Sequence, residues 1–189
     1  MRLILVDLPS EKRRNFDPLG LSRPIWELRC GMTTLAEKLV AKAGTSQVAC
    51  FVPPYMAGAY REQTSWPVND PAQLTGDDLL IVSARLKASA LSGEPAGPSQ
   101  IACEADGECL FARIARADLG KLKTESIEAL LESARAALPA ADGELPTWNY
   151  TWDLVLSNPQ QLIEDFKFLG RSGIEGQVEE PNAIRGSRA

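Results

Sequence analysis

Runs of apolar residues, alternating patterns and helical spacings succeed one another along the chain, and the changes between them mark out its elements. Leu3 to Val6 is a short unbroken apolar run, the pattern of a strand covered on both faces. Thr34 and Glu37 stand three apart as the halves of a capping box, and Leu35, Leu39 and Val40 then set one apolar helix face. Gly44 is placed to end that helix. Gln47 to Val52 reads as a second strand, stopped by Pro53 and Pro54. Strand, helix and strand at this spacing predict a right-handed βαβ unit with parallel strands.

Gly58 to Trp66 is compatible with a short helix, Trp66 to Asn69 with an edge strand, and Leu79 to Ser83 reads clearly as a strand. Ala88 to Ser99, rich in Ala, Gly, Ser and Pro, reads as an exposed loop. Gln100 to Arg116 predicts an antiparallel hairpin folded at Asp106-Gly107. A two-residue turn there sets Glu104 opposite Cys109, so Cys103 and Cys109 are expected on opposite sides of the sheet. Thr124 to Leu138 reads as an amphipathic helix capped by Thr124, with Ile127, Leu130, Leu131 and Ala134 on one face and a loop from Pro139 to Pro146 after it. Trp148, Tyr150 and Trp152 could line one face of a strand, at least two of them filling the core or a seam. Asn158 before Pro159 predicts an N-cap, with Leu162, Ile163, Phe166 and Leu169 facing inward and Gly170 closing the helix. The sum is an α/β domain over residues 1–170, with 171–189 as a linker or the start of something else.

Composition narrows the chemistry. A chain of 189 residues, 44% hydrophobic and 24% charged, suits one soluble domain. A net charge of −5 argues against nucleic-acid binding. No apolar run reaches the length of a membrane span, and Arg2 to Asp7 is no signal peptide, so the cytoplasm is the expected compartment. With no histidine there is no Ser-His-Asp triad, no histidine zinc site and no imidazole shuttle. Cys30, Cys50, Cys103 and Cys109 lack C-x-x-C spacing, and read as reduced, mostly buried thiols.

The densest stretch is Pro18 to Lys38, PLGLSRPIWELRCGMTTLAEK, where Arg23 and Arg29 flank Ile25 and Trp26 and lead into the first helix. A cationic loop feeding a helix N-terminus can hold phosphate, because free N–H groups and the helix dipole add to the arginine charge. Equally, such arginines can pair with nearby carboxylates. Arg85, just after the Leu79 to Ser83 strand, reads either as a phosphate contact or as a structural ion pair.

PLGLSRPIWELRCGMTTLAEKL resembles the N-terminal signature of the sugar nucleotidyltransferase family, whose members are similar to the N-terminal domain of the bifunctional uridylyltransferase and acetyltransferase GlmU. Pro18, Leu19, Arg23, Pro24, Glu27, Leu28, Arg29, Gly31, Thr34, Glu37 and Lys38 carry the match. LLIVSARL, from Leu79 to Leu86, resembles the family's second core strand, and Asn149 to Phe166 its Trp-Asp segment. The resemblance implies a Rossmann-like nucleotidyltransferase-type mixed sheet flanked by helices. It also implies attack of a sugar 1-phosphate on a nucleoside triphosphate, releasing pyrophosphate, with cations over the phosphates and Mg²⁺. Carried onto this chain, Arg23 and Arg29 are the catalytic cations. Arg13, Arg14, Lys38 and Arg85 are the substrate-binding ones, and Asp7 and Asp153 the candidate metal ligands.

Three departures stand against turnover. Active members wrap the triphosphate in a glycine-rich loop, whereas Asp7 to Asp17 contains no glycine. Their strand-end aspartate is replaced by Ser83, Ala84 and Arg85, and Ile25 stands near their lysine. Two readings follow: a nucleotidyltransferase, or a noncatalytic nucleotide-sugar-binding or scaffolding domain of a β-helix acyltransferase. Family members commonly continue into a left-handed β-helix of hexapeptide turns. Val178 and Ile184, six apart, agree with a chain truncated at that point and trimerising through the missing part; an ordinary chain end is the alternative.

Overall fold

The buried run at the start becomes β1 (Arg2–Val6), in which Leu3, Ile4 and Leu5 are fully buried. A 3₁₀ turn over Lys12–Phe16 and a short α1 (Leu19–Ser22) follow. β2 (Arg29–Cys30) and β3 (Thr33–Thr34) then pair antiparallel as a small separate sheet. Next come α2 (Leu35–Ala43), β4 (Val48–Phe51), α3 (Pro54–Gln63), β5 (Leu79–Ser83), β6 (Gln100–Cys103) and β7 (Cys109–Ile114). α4 (Arg116–Leu119), α5 (Ile127–Ala137) and α6 (Thr151–Leu169) complete the order. This computed structural model describes residues 1–91, 97–141, 143 and 145–170. The segment expected to be a linker or β-helix start, 171–189, lies outside the described residues.

The main sheet runs β4-β1-β5-β7-β6, with β1 parallel to both β4 and β5, and β7 antiparallel to β5 and β6. It is the α/β architecture expected, and β1, α2 and β4 form the predicted βαβ unit. Because strand side chains alternate between faces, Leu3, Leu5, Leu80 and Val82 meet Leu35 and Leu39 of α2 on one side. Ile4, Val6, Leu79 and Ile81 meet Ile127, Leu130 and Ala134 of α5 on the other. The capping box forms as read: Thr34 Oγ1 accepts from the Glu37 N–H, and Glu37 Oε2 accepts from the Thr34 N–H. Val68 bridges parallel to Cys50 at the edge beyond β4. No helix among the described residues is long and apolar enough to cross a membrane.

Five expectations are corrected. α5 is capped by Ser126, whose Oγ accepts from the Ala129 N–H, and not by Thr124; burial of Ile127 sets where the helix begins. The β6–β7 turn is not a two-residue one. Glu104 and Glu108 are joined by a backbone hydrogen bond, Gly107 takes φ +87°, and the turn residues between them are Ala105, Asp106 and Gly107. A bulge then leaves Leu110 as an extra residue on β7, so Cys103 is paired with Cys109 directly. Trp148 is buried, but Tyr150 and Trp152 are not strand residues; they stack on each other at 4.3 Å about the start of α6.

The largest revision concerns α6 itself. It begins at Thr151, so Asn158 and Pro159 lie inside it, and Asn158 Oδ1 accepts from the Gly31 N–H at 2.7 Å. Leu162, Ile163, Phe166 and Leu169 point to solvent, between 41% and 58% exposed. The inward face is taken by Leu154, Asn158 and Asp165, since the backbone N–H groups of Gly31 and Met32 in the β2–β3 turn require acceptors that apolar side chains cannot supply.

Candidate functional site

β1 sits between β4 and β5, so the chain leaves it toward one side and returns on the other. The loops following parallel strands diverge at such a point and leave a crevice at the carboxyl ends. Here that crevice has a volume of about 480 Å³, and Ser10, Ser83, Asp106, Glu108, Glu132 and Arg135 are among the residues lining it. The β6–β7 turn forms one wall and α5 another.

An ion-pair network includes two of the lining residues, Asp106 and Glu108. Arg85 is buried; its guanidinium donates to Glu108 Oε1 at 2.9 Å, to Glu104, and to Asn149 Oδ1 at 3.0 Å. Lys12, reaching in from the loop after β1, is 2.9 Å from Glu104 and 2.8 Å from Asp106. Those contacts raise the Lys12 pKa, through the hydrogen bonds that Lys12 donates to Asp106 and then Glu104, and the same Lys12 hydrogen bond lowers that of Asp106. One carboxylate oxygen from each of Glu104, Asp106 and Glu108 lies within 4.8 Å of the others. Glu108 Oε2 is buried and, among the described residues, without a hydrogen-bond partner.

A second buried pair organises the glycine-free loop. Asp7 Oδ1 accepts from Arg13 Nε and its Oδ2 from the Ile25 N–H, both at 3.0 Å, while Arg13 Nη2 donates to the Gly20 carbonyl. Burial pushes the Asp7 pKa up, and the Arg13 charge and the Ile25 N–H oppose that rise. Side-chain pairing thus holds the loop from Asp7 to Asp17, which contains no glycine.

The sequence-derived candidates scatter around this arrangement. Arg23 and Arg29 are both exposed and neither lines the crevice; Arg29 Nη1 donates to the Met32 carbonyl at 2.8 Å. Arg14 is exposed beside Glu11 and lines a neighbouring hollow of about 400 Å³ with Pro53 and Tyr55. Lys38 is paired with Asp165 of α6. Asp153 Oδ2 accepts the N–H groups of Asn149 and Tyr150, capping α6. Arg85 and Arg13 are buried in their ion pairs. The trio Glu104, Asp106 and Glu108 was missed, although acidic residues at alternate positions across an expected turn were the signal for it.

A family model described as sugar nucleotidyl transferase matches residues 3–172. Among solved structures, a protein assigned as a glucose-1-phosphate thymidylyltransferase from Bacillus anthracis, in complex with a sucrose, is 8% identical. That match covers 86% of this chain and 95% of that one, with a TM-score of 0.46. A nucleotidyl transferase from Methanothermobacter thermautotroptrophicus is 17% identical over 86% of this chain and 98% of that one, with a TM-score of 0.43. No curated protein matches the sequence.

Proposed function

This chain belongs to the sugar nucleotidyl transferase family, which its residues 3–172 match, and from that premise we propose that the crevice at the ends of β1 and β5 joins a nucleoside triphosphate to a sugar 1-phosphate, releasing pyrophosphate. The supporting observation is the cluster of Glu104, Asp106 and Glu108, the last two of which line the crevice. Glu11, Asp106, Glu108, Glu128 and Glu132 line the crevice against Arg135, so a bare triphosphate would be repelled and a nucleotide enters with a divalent cation. Hard oxygen donors suit Mg²⁺, and Glu104, Asp106 and Glu108, with the buried Glu108 Oε2 lacking a hydrogen-bond partner among the described residues, fit the task of holding it. The ion, when bound, supplies positive charge over the phosphates. Lys12 is 33% exposed on its side chain and can turn from its carboxylates to a phosphate oxygen. Arg85, buried among its partners, positions Glu104 and Glu108. Arg14, exposed in the neighbouring hollow that shares Ser10 and Glu11 with the crevice, is available to the sugar phosphate.

A second reading, a noncatalytic nucleotide-sugar-binding or scaffolding domain, is favoured by Asp7, whose two oxygens are already engaged by Arg13 and Ile25. Pyrophosphate release from a panel of triphosphates and sugar 1-phosphates separates the two. The first reading expects release that requires Mg²⁺, stops with chelator, and falls about a hundredfold in Asp106→Asn. Nucleotide-sugar binding that persists in chelator without any release supports the second. Absence of both binding and release overturns both.

A further inference from the structure

Cys103 and Cys109 stand opposite each other at the neck of the β6–β7 turn only because the bulge at Leu110 shifts the register by one residue. Residues directly opposite on antiparallel strands have Cα atoms about 4.5–5.5 Å apart, within the roughly 4.4–6.8 Å that a disulfide spans. Their side chains share a face, and the two thiols are close enough for a hydrogen bond between them. Both line the crevice, and Cys103 is exposed. A reagent entering from solvent can therefore reach them. Cys30 and Cys50 are buried, and each thiol donates to a backbone carbonyl, of Leu154 and Pro67 respectively.

We infer that Cys103 and Cys109 form an oxidisable pair that exchanges with a low-molecular-weight disulfide and closes into a bond across the neck of the turn. The Cys103 sulfur attacks one sulfur of the reagent; a mixed disulfide forms, the reagent S–S bond breaks, and one reagent thiol leaves with the Cys103 proton. The Cys109 sulfur then attacks the Cys103 sulfur, expelling the second reagent thiol with the Cys109 proton. The protein loses two hydrogens and two electrons, and the reagent gains both. The bond ties the ends of the turn that carries Glu104, Asp106 and Glu108. It goes beyond the nucleotide reading and requires no nucleotide.

The folded chain, treated with oxidised glutathione, tests it. Cleavage after Glu104 and Glu108 puts Cys103 and Cys109 on different peptides, which only a disulfide can keep together. The expected result is a monomer that has lost two of its four thiols, with those two peptides joined. Cys109→Ser should stop at a stable glutathione adduct on Cys103, and Cys103→Ser should react at least about tenfold more slowly, its remaining thiol being less exposed. A lasting adduct on Cys103 in the unaltered chain, disulfide-linked dimers, or no loss of thiols from the folded protein would each overturn the inference.

Discussion

α2 and α6 are both amphipathic, yet they turn opposite faces to the protein. α2 buries Leu35, Ala36, Leu39 and Ala43 against the sheet, with a capping box at its start and a left-handed Gly44 at its end. α6 buries only Leu154 among its described residues, while Trp152, Val155, Leu156, Ile163, Phe166 and Phe168 stand exposed. Its attachment is polar instead. Asn158 and Asp165 accept the N–H groups of Gly31 and Met32, and Asp165 also pairs with Lys38 of α2. One helix is held by burial of area, the other by a few directed bonds. Hydropathy periodicity reports that a helix has two unlike faces; it does not report which one meets the protein.

Three substitutions sharpen that contrast. Leu39→Ala, at a fully buried position of α2, should cost about 3 kcal/mol by lost transfer energy and the cavity left behind, seen as a fall of about 9 °C in melting temperature. Gly31→Ala attacks the polar anchorage of α6. Gly31 has φ +81°, and a Cβ there would lie 2.4 Å from Asp165 Oδ2 and 3.0 Å from the Gln161 backbone. Loss of about 2 kcal/mol is expected, with faster amide exchange in α6 than in α2; equal exchange would show that the two helices are not held by separate means. Ile163→Ser, half exposed on the outer face, should change stability by no more than about 0.5 kcal/mol. A loss as large as that of Leu39→Ala would mean that this face is covered.

Local signals were legible in proportion to how local their chemistry is. The unbroken apolar run of β1 and the Thr34–Glu37 box needed only neighbours along the chain, and both formed as read. The hairpin was legible as a hairpin, but its register was not, because the Leu110 bulge depends on how β7 also pairs with β5. The site divided in the same way. Arg13 and Arg85 were visible as unusual cations, but their partners come from elsewhere: Asp7 across the loop, and Glu104 and Glu108 across the sheet. The arginines of the Pro18 to Lys38 stretch were conspicuous by spacing, yet Arg23 and Arg29 lie at the surface away from the crevice lining.

What the sequence alone determined is the set of elements, the parallel βαβ start and the chemistry a histidine-free chain cannot perform. Tertiary structure decided which face of α6 turns inward, which cysteines meet, and which carboxylates gather at the end of the central strands. Capping, turn and periodicity preferences act between residues a few positions apart. Orientation and pairing are settled by backbone donors and buried charges that must find partners far along the chain.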